Sequence, residues 1–191
     1  MRGPVPTALF LDRDGVLNRK APEGGYVTSP DAFEWLPGVV ESLALLKRHG
    51  VRLFVMTNQR GVARGLMEQR DLVAVHDRMR DDLAVVGVTL DGVYACVHEE
   101  GTCDCRKPRI GLFTRALAEH PGLDLSRSAV VGDSLSDIEA AARLGVPAYA
   151  IASGSAGDDV SDRAHERGLP IAGRFSSLAS LVTDGFGMEL P

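Results

Sequence analysis

Leu9-Phe10-Leu11-Asp12-Arg13-Asp14-Gly15-Val16-Leu17-Asn18 is the stretch around which the chain is organised. A fully apolar run, residues 8–11, ends in two carboxylates at i and i+2, and Gly15 follows at once. Such a short apolar run suits a strand buried on both faces of a parallel sheet. Ligands of these sheets sit beyond the carboxyl ends of the strands, where Asp12 and Asp14 emerge. Gly15 frees the backbone to turn away there. Two acids at one site divide labour, one as nucleophile or metal ligand and the other as proton donor. An Asp-rich turn capping a strand has the same pattern, so the motif does not stand alone. A calcium loop needs a third acid two residues on and a late Glu. Val16 and Asn18 follow instead, which removes that reading.

Outward from this strand, apolar runs and helical spacings alternate, which predicts an α/β fold with a mainly parallel sheet. Residues 21–30 are rich in Gly and Pro and read as a loop over the strand ends. Val39, Val40, Leu43 and Leu46 repeat at helical spacing up to His49-Gly50. A second strand, residues 51–56, delivers Thr57 and Asn58 to the same edge as Asp12. Leu72, Val75, Met79, Leu83 and Val86 mark an amphipathic helix stopped by Gly87. Residues 93–97 form a third strand, and Leu112, Phe113, Ala116 and Leu117 a helix ended by His120-Pro121-Gly122. Residues 129–131 make a fourth strand ending at Gly132-Asp133. There Ser134 caps a helix that turns Leu135, Ile138 and Ala142 inward. Residues 148–151 are a fifth strand; beyond them a polar loop at 153–159, a short helix or two and a frayed tail are expected.

The 191 residues suit a single domain, 1–191, with a real core. Hydrophobic residues at 45% and charged ones at 25% are the balance of an ordinary globular protein. A net charge of −5 argues against a generic nucleic-acid binder. No apolar stretch approaches the roughly 20 residues that span a bilayer, and the first residues carry no signal-peptide pattern. A cytoplasmic monomer without nucleic-acid or membrane partners is the expectation.

All three cysteines fall within ten residues: Cys96-Val97-His98-Glu99-Glu100-Gly101-Thr102-Cys103-Asp104-Cys105. Cys-x-His and Cys-x-Cys, joined by a four-residue loop, offer four ligands to a tetrahedral Zn²⁺. A full Cys₃His set leaves no open position, so this zinc is structural. A disulfide is the weaker reading in a reducing compartment. Arg106-Lys107-Pro108 follows directly, so a zinc held at residues 96–105 fixes Lys107.

Polar groups accumulate at successive strand ends: Asp12 and Asp14, Thr57 and Asn58, Lys107, then Asp133. A hydroxyl, an amide and an ammonium converging on a carboxylate suit a transferring phosphoryl group. Asp12 and Asp133 also make an oxygen site for Mg²⁺. This constellation resembles the haloacid dehalogenase superfamily, with all four of its motifs in order over about the first 150 residues. The resemblance implies a Rossmann-like sheet without a cap domain, since no connection between the first three strands is long enough for one. It implies Asp12 as the nucleophile that forms an aspartyl-phosphate, and Asp14 as general acid and then base. Thr57 and Lys107 would hold the phosphoryl group. Mg²⁺ would be bound by Asp12, Asp14 through its backbone carbonyl, and Asp133, with Asp137 one turn behind.

Cys-x-His…Cys-x-Cys-Arg-Lys-Pro narrows the likeness to two subfamilies, the D-glycero-D-manno-heptose 1,7-bisphosphate phosphatases and the histidinol-phosphate phosphatases. Thr57-Asn58-Gln59-Arg60-Gly61-Val62-Ala63-Arg64-Gly65 and Gly25-Tyr26-Val27 are similar to the heptose enzymes. Arg60 stands where those carry a small polar residue, and the loop 19–24 is longer. The resemblance therefore implies a Mg²⁺-dependent sugar bisphosphate phosphatase that removes the C7 phosphate of the heptose. Histidinol phosphate, or another small sugar phosphate, is the alternative substrate. Asn58, Gln59, Arg60, Arg64, Arg106, Gly25 and Tyr26 would contact it. Arg60, Arg64, Arg106, Lys107 and Arg109 concentrate positive charge near the motifs, as a substrate with two phosphates requires.

Overall fold

The first strand, β1 (Ala8–Leu11), is buried along its whole length and occupies the middle of a six-stranded sheet in a computed structural model. The structure describes residues 3–22, 24–152 and 160–190. After β1 come α1 (Val39–Arg48), β2 (Arg52–Asn58), α2 (Gln69–Val85), β3 (Gly92–Cys96) and α3 (Gly111–Glu119). They are followed by β4 (Ser128–Gly132), α4 (Leu135–Leu144), β5 (Ala148–Ile151), α5 (Val160–Glu166) and β6 (Gly173–Phe175). The sheet order is β3-β2-β1-β4-β5-β6, and all its described pairings are parallel.

The chain winds outward from β1 through β2 and β3, then crosses back to start again at β4. Strand order therefore reverses between β1 and β4, and a crevice opens beyond their carboxyl ends. Register aligns Leu11 with Val131 across that reversal, and the Asp12 N–H donates to the Val131 carbonyl at 2.9 Å. Asp12 and Asp133 thus leave the sheet side by side because the ladder holds the two strands level.

Alternate residues of each strand enter opposite layers, as a period of two demands. Leu9, Leu11, Leu53 and Val55 pack with Leu43, Leu46, Val75, Met79 and Leu83 of α1 and α2. Phe10, Phe54 and Met56 face Leu112, Phe113 and Ile138 of α3 and α4. Phe10 meets Phe113 edge-on at 5.2 Å between ring centroids.

Several expectations need correction. β2 continues through Thr57 and Asn58, whose ladder partners are Ala95 and Cys96. α2 ends at Val85, and Val86, at its C-cap, is exposed rather than part of the buried face. In α4 the inward alanines are Ala140 and Ala141, whereas Ala142 faces solvent. The tail is not frayed: Leu178, Leu181, Val182, Phe186 and Met188 are buried against the α1 and α2 layer. A helical turn, Leu178–Ser180, and a π turn, Leu181–Gly185, place them there, after a sixth strand of three residues. The loop expected at 153–159 lies outside the described residues. Among the described residues, no helix is long and apolar enough to cross a membrane.

Candidate active site

The turn after β1 builds the site. Leu17 and Asn18 both donate their N–H to the Arg13 carbonyl, at 2.8 and 3.1 Å, folding the chain back on itself. Gly15 sits at φ +92, and a Cβ there would lie 2.0 Å from Asp133 Oδ2. Only glycine lets the backbone pass so close to that carboxylate.

Lys107 is 3% exposed, and its ammonium is shared by three oxygens. Nζ lies 2.9 Å from Asp12 Oδ1 and 2.5 Å from Asp137 Oδ1, and donates to the Met56 carbonyl at 2.6 Å. Burial opposes this charge, yet Asp12 and Asp137 hold it above the ordinary lysine range. Burial pushes Asp12 up to about 7, against Lys107 and with help from the charges of Asp137, Asp133 and Asp14. Asp133 is likewise pushed by burial to about 6, with Lys20 opposing.

Asp14 behaves in the opposite way. Its oxygens accept from Arg13 Nε and Nη2, from Asn18 Nδ2 at 2.9 Å and from Gln59 Nε2 at 2.7 Å. Burial alone would raise it, but the Arg13 guanidinium and these donors bring its carboxyl below the usual range.

Two groups of side chains among the described residues could hold a metal. The ligand atoms of Asp12, Asp133 and Asp137 lie within 4.8 Å of one another. Asp133 Oδ1 is buried without a hydrogen-bond partner, while Oδ2 meets the Lys20 ammonium. Clustered carboxylates with an orphaned oxygen fit a hard, oxygen-seeking dication such as Mg²⁺. Asp137 lies close to Asp12 and Asp133, but Lys107 engages its Oδ1 and Ser134 its Oδ2. A capping box turns the side chain of this third helical residue back toward Ser134. The Asp14 carboxylate is not in the set, being committed to Arg13, Asn18 and Gln59, which leaves its backbone carbonyl as the available group.

The second group is Cys96, His98, Cys103 and Cys105, also within 4.8 Å. The sulfurs are 3.1–3.5 Å apart, and His98 Nδ1 is 3.1 and 3.8 Å from Cys105 and Cys96. Metal–sulfur bonds of about 2.3 Å give a tetrahedron with edges of about 3.8 Å, so the donors are nearly in place for zinc. All three thiols are free of disulfides. Burial opposes ionisation of Cys103, but the Arg106 N–H and the neighbouring sulfurs draw it down to about 7.

A cavity of about 220 Å³ joins Asp12, Asp14, Thr57, Asn58, Arg106, Lys107 and Asp133 with Lys20, Ser134 and Ser136. Other expected contacts lie elsewhere. Gln59 is fully buried and donates to both Asp14 and Thr57 Oγ1, so it braces these two from behind. Arg60 is tied to Glu99 and Glu100 of the cysteine loop at 3.1 and 3.4 Å. Arg64 is exposed on the turn after β2. Gly25 is exposed, and Tyr26 packs its ring over Gly61 beside a separate cavity of about 270 Å³. Lys20 was missed by the sequence reading, although it borders both of these cavities and a third of about 490 Å³. A lysine in a loop without periodicity carries no signal that would have found it.

Residues 104–178 match the HAD-hydrolase-like family model. The chain is 45% identical over 146 residues to a D-glycero-alpha-D-manno-heptose-1,7-bisphosphate 7-phosphatase of Mycobacterium tuberculosis, covering 76% of each chain. It is 39% identical over 154 residues to the beta-heptose enzyme of Rhodopseudomonas palustris, covering 76% of this chain and 83% of that one. Its fold is similar to the crystal structure of D,D-heptose 1,7-bisphosphate phosphatase from Bordetella bronchiseptica, complexed with magnesium and phosphate. That likeness has a TM-score of 0.80 and 32% identity, over 93% of this chain and 97% of that one.

Proposed function

The chain belongs to the heptose-1,7-bisphosphate 7-phosphatase family of HAD-like hydrolases, and from that premise we propose that it hydrolyses the C7 phosphate of D-glycero-D-manno-heptose 1,7-bisphosphate. The observation that carries the reading is Asp12 at the strand-order reversal, with Lys107 Nζ at 2.9 Å and Asp14 two residues on.

Asp12 attacks phosphorus, and the bond to the C7 oxygen breaks as Asp14 gives that oxygen a proton. Lys107 and Thr57 hold the phosphoryl oxygens through this transfer, leaving an aspartyl-phosphate on Asp12. Asp14 then takes a proton from water, the water oxygen bonds to phosphorus, and Asp12 is released with inorganic phosphate. The donors around Asp14 favour its ionised form, which this second step uses and which the first step works against. Mg²⁺ would be held by Asp12, Asp133 and the Asp14 carbonyl, with Asp137 beside them, and would supply the positive charge that lets an anionic nucleophile meet an anionic ester. Zinc in the Cys₃His set would brace the loop that delivers Lys107.

Arg106 borders the cavity, and its buried Nη1 has no hydrogen-bond partner, which supports it as the contact for the anomeric phosphate. Arg60, occupied by two glutamates, is left as a brace of the cysteine loop. A net charge of −5 supports an enzyme without nucleic-acid partners, and the cytoplasm is its proposed location.

Phosphorus NMR of the reaction with each anomer of the bisphosphate tests this. The C7 signal should convert to inorganic phosphate while the C1 signal persists. A higher kcat/KM on histidinol phosphate than on either anomer would overturn the substrate assignment.

A further inference from the structure

Arg13 is the bulkiest fully buried side chain among the described residues, and it stands between the two catalytic acids in sequence. A buried guanidinium needs an acceptor for each face of its fork, since it cannot shed its proton. Asp14 takes one side: Nη2 lies 3.0 and 2.9 Å from its two oxygens, and Nε lies 3.3 Å from Oδ1. On the other side Nη1 lies 3.2 Å from Nε2 of His76, on the buried face of α2. A guanidinium nitrogen can only donate, so Nε2 must offer a lone pair and the imidazole proton must sit on Nδ1. Burial, with the charges of Arg13 and Arg80, holds His76 down to about 3, so the ring stays neutral.

We infer that Arg13 and His76 are a positioning pair: neutral His76 fixes the guanidinium, and the guanidinium sets the angle from which Asp14 exchanges protons with the substrate. Asn18 and Gln59 hold the same carboxylate from its other sides, at 2.9 and 2.7 Å. Arg13 alone ties it to a helix 63 residues away. The inference rests on the reading of Asp14 as the proton donor and acceptor.

The test follows loss of the leaving group in single turnovers with enzyme in excess. A sugar alkoxide needs a proton to leave, whereas 4-nitrophenolate does not. His76→Leu should slow sugar release about tenfold, part of the 10²–10⁴ typical of general acid catalysis. Nitrophenolate release should stay within about twofold, because it asks nothing of the acid. His76→Gln, which restores an acceptor where Nε2 stood, should recover sugar release. Equal slowing of both leaving groups, or of neither, overturns the pair. Asp14→Asn is run alongside. If it shows no leaving-group contrast, the acid assignment of Asp14 itself fails; if it shows one and His76→Leu does not, only the pair fails. Should His76→Leu not fold, long-range ¹H–¹⁵N spectra of the wild-type protein decide. The pair requires Nε2 unprotonated, and a proton on Nε2 overturns it.

Discussion

Asn58 and Lys107, 49 residues apart, are joined by two hydrogen bonds between the side chain of one and the backbone of the other. Asn58 Nδ2 donates to the Lys107 carbonyl at 3.1 Å, and the Lys107 N–H donates to Asn58 Oδ1 at 3.0 Å. The end of β2 thereby sets the height at which the lysine loop enters the site, and so where the ammonium meets Asp12. Asn58→Ala strips both partners from part-buried backbone groups, at a cost of about 1–3 kcal/mol. Urea denaturation should show that loss, and phosphate release should fall as Lys107 drifts from Asp12. Unchanged stability would mean that water replaces the amide without consequence.

Cys103→Ser should release the zinc and slow turnover through the placement of Lys107. The thiolate lost is one of four donors that already lie within 4.8 Å of one another. Elemental analysis should find about one zinc per wild-type chain, the number a single four-ligand site holds, and far less in the variant. A zinc-free preparation with full activity would remove the bracing role.

Gly15→Ala introduces a Cβ at φ +92 and within 2.0 Å of Asp133 Oδ2. The backbone strain costs on the order of 1–2 kcal/mol, and the displaced carboxylate should weaken Mg²⁺ binding as well. Calorimetric titration with Mg²⁺ should show a higher Kd than the wild-type chain. An equal Kd would mean that Asp133 shifts without leaving the metal set.

The neutral state of His76 makes stability depend on pH with a definite sign. Its pKa is about 3 in the folded chain against 6.5 for a free side chain, from burial first and then the Arg13 charge. Between those values the unfolded chain takes up a proton that the folded chain refuses. The contribution is fully present above pH 6.5 and is lost as pH falls toward 3. Unfolding free energies measured from pH 7 down to about 4 should fall more steeply for wild type than for His76→Gln. The difference should be up to about 1.4 kcal/mol per pH unit. Parallel slopes would place a proton on His76 in the folded state.

What could be read from the residues was the part governed by strand ends. An apolar run closed by Asp-x-Asp-Gly, and three further polar strand ends, converge in any parallel sheet of this order. Four soft ligands within ten residues likewise announce their own cluster. Direction within the site was not legible. Gln59 and Arg60 adjoin Thr57 in sequence, yet one is sealed behind the cavity and the other turned toward Glu99 and Glu100. Asp137 lies near Asp12 and Asp133 because the Ser134 cap bends its side chain back, and Ser134 as a cap was legible while that bend was not. Lys20 reaches Asp133 from a loop. The tail joins the core through single helical and π turns, too short for any periodicity to show.

The central claim is that Asp12 carries the phosphoryl group, and trapping that group tests it most directly. Acid quenching during turnover of the heptose bisphosphate, followed by peptide mass analysis, should find phosphate on the peptide containing Asp12. The adduct should be absent from Asp12→Asn, which should release no phosphate above background. No adduct on Asp12, together with near wild-type phosphate release by Asp12→Asn, would contradict the covalent mechanism.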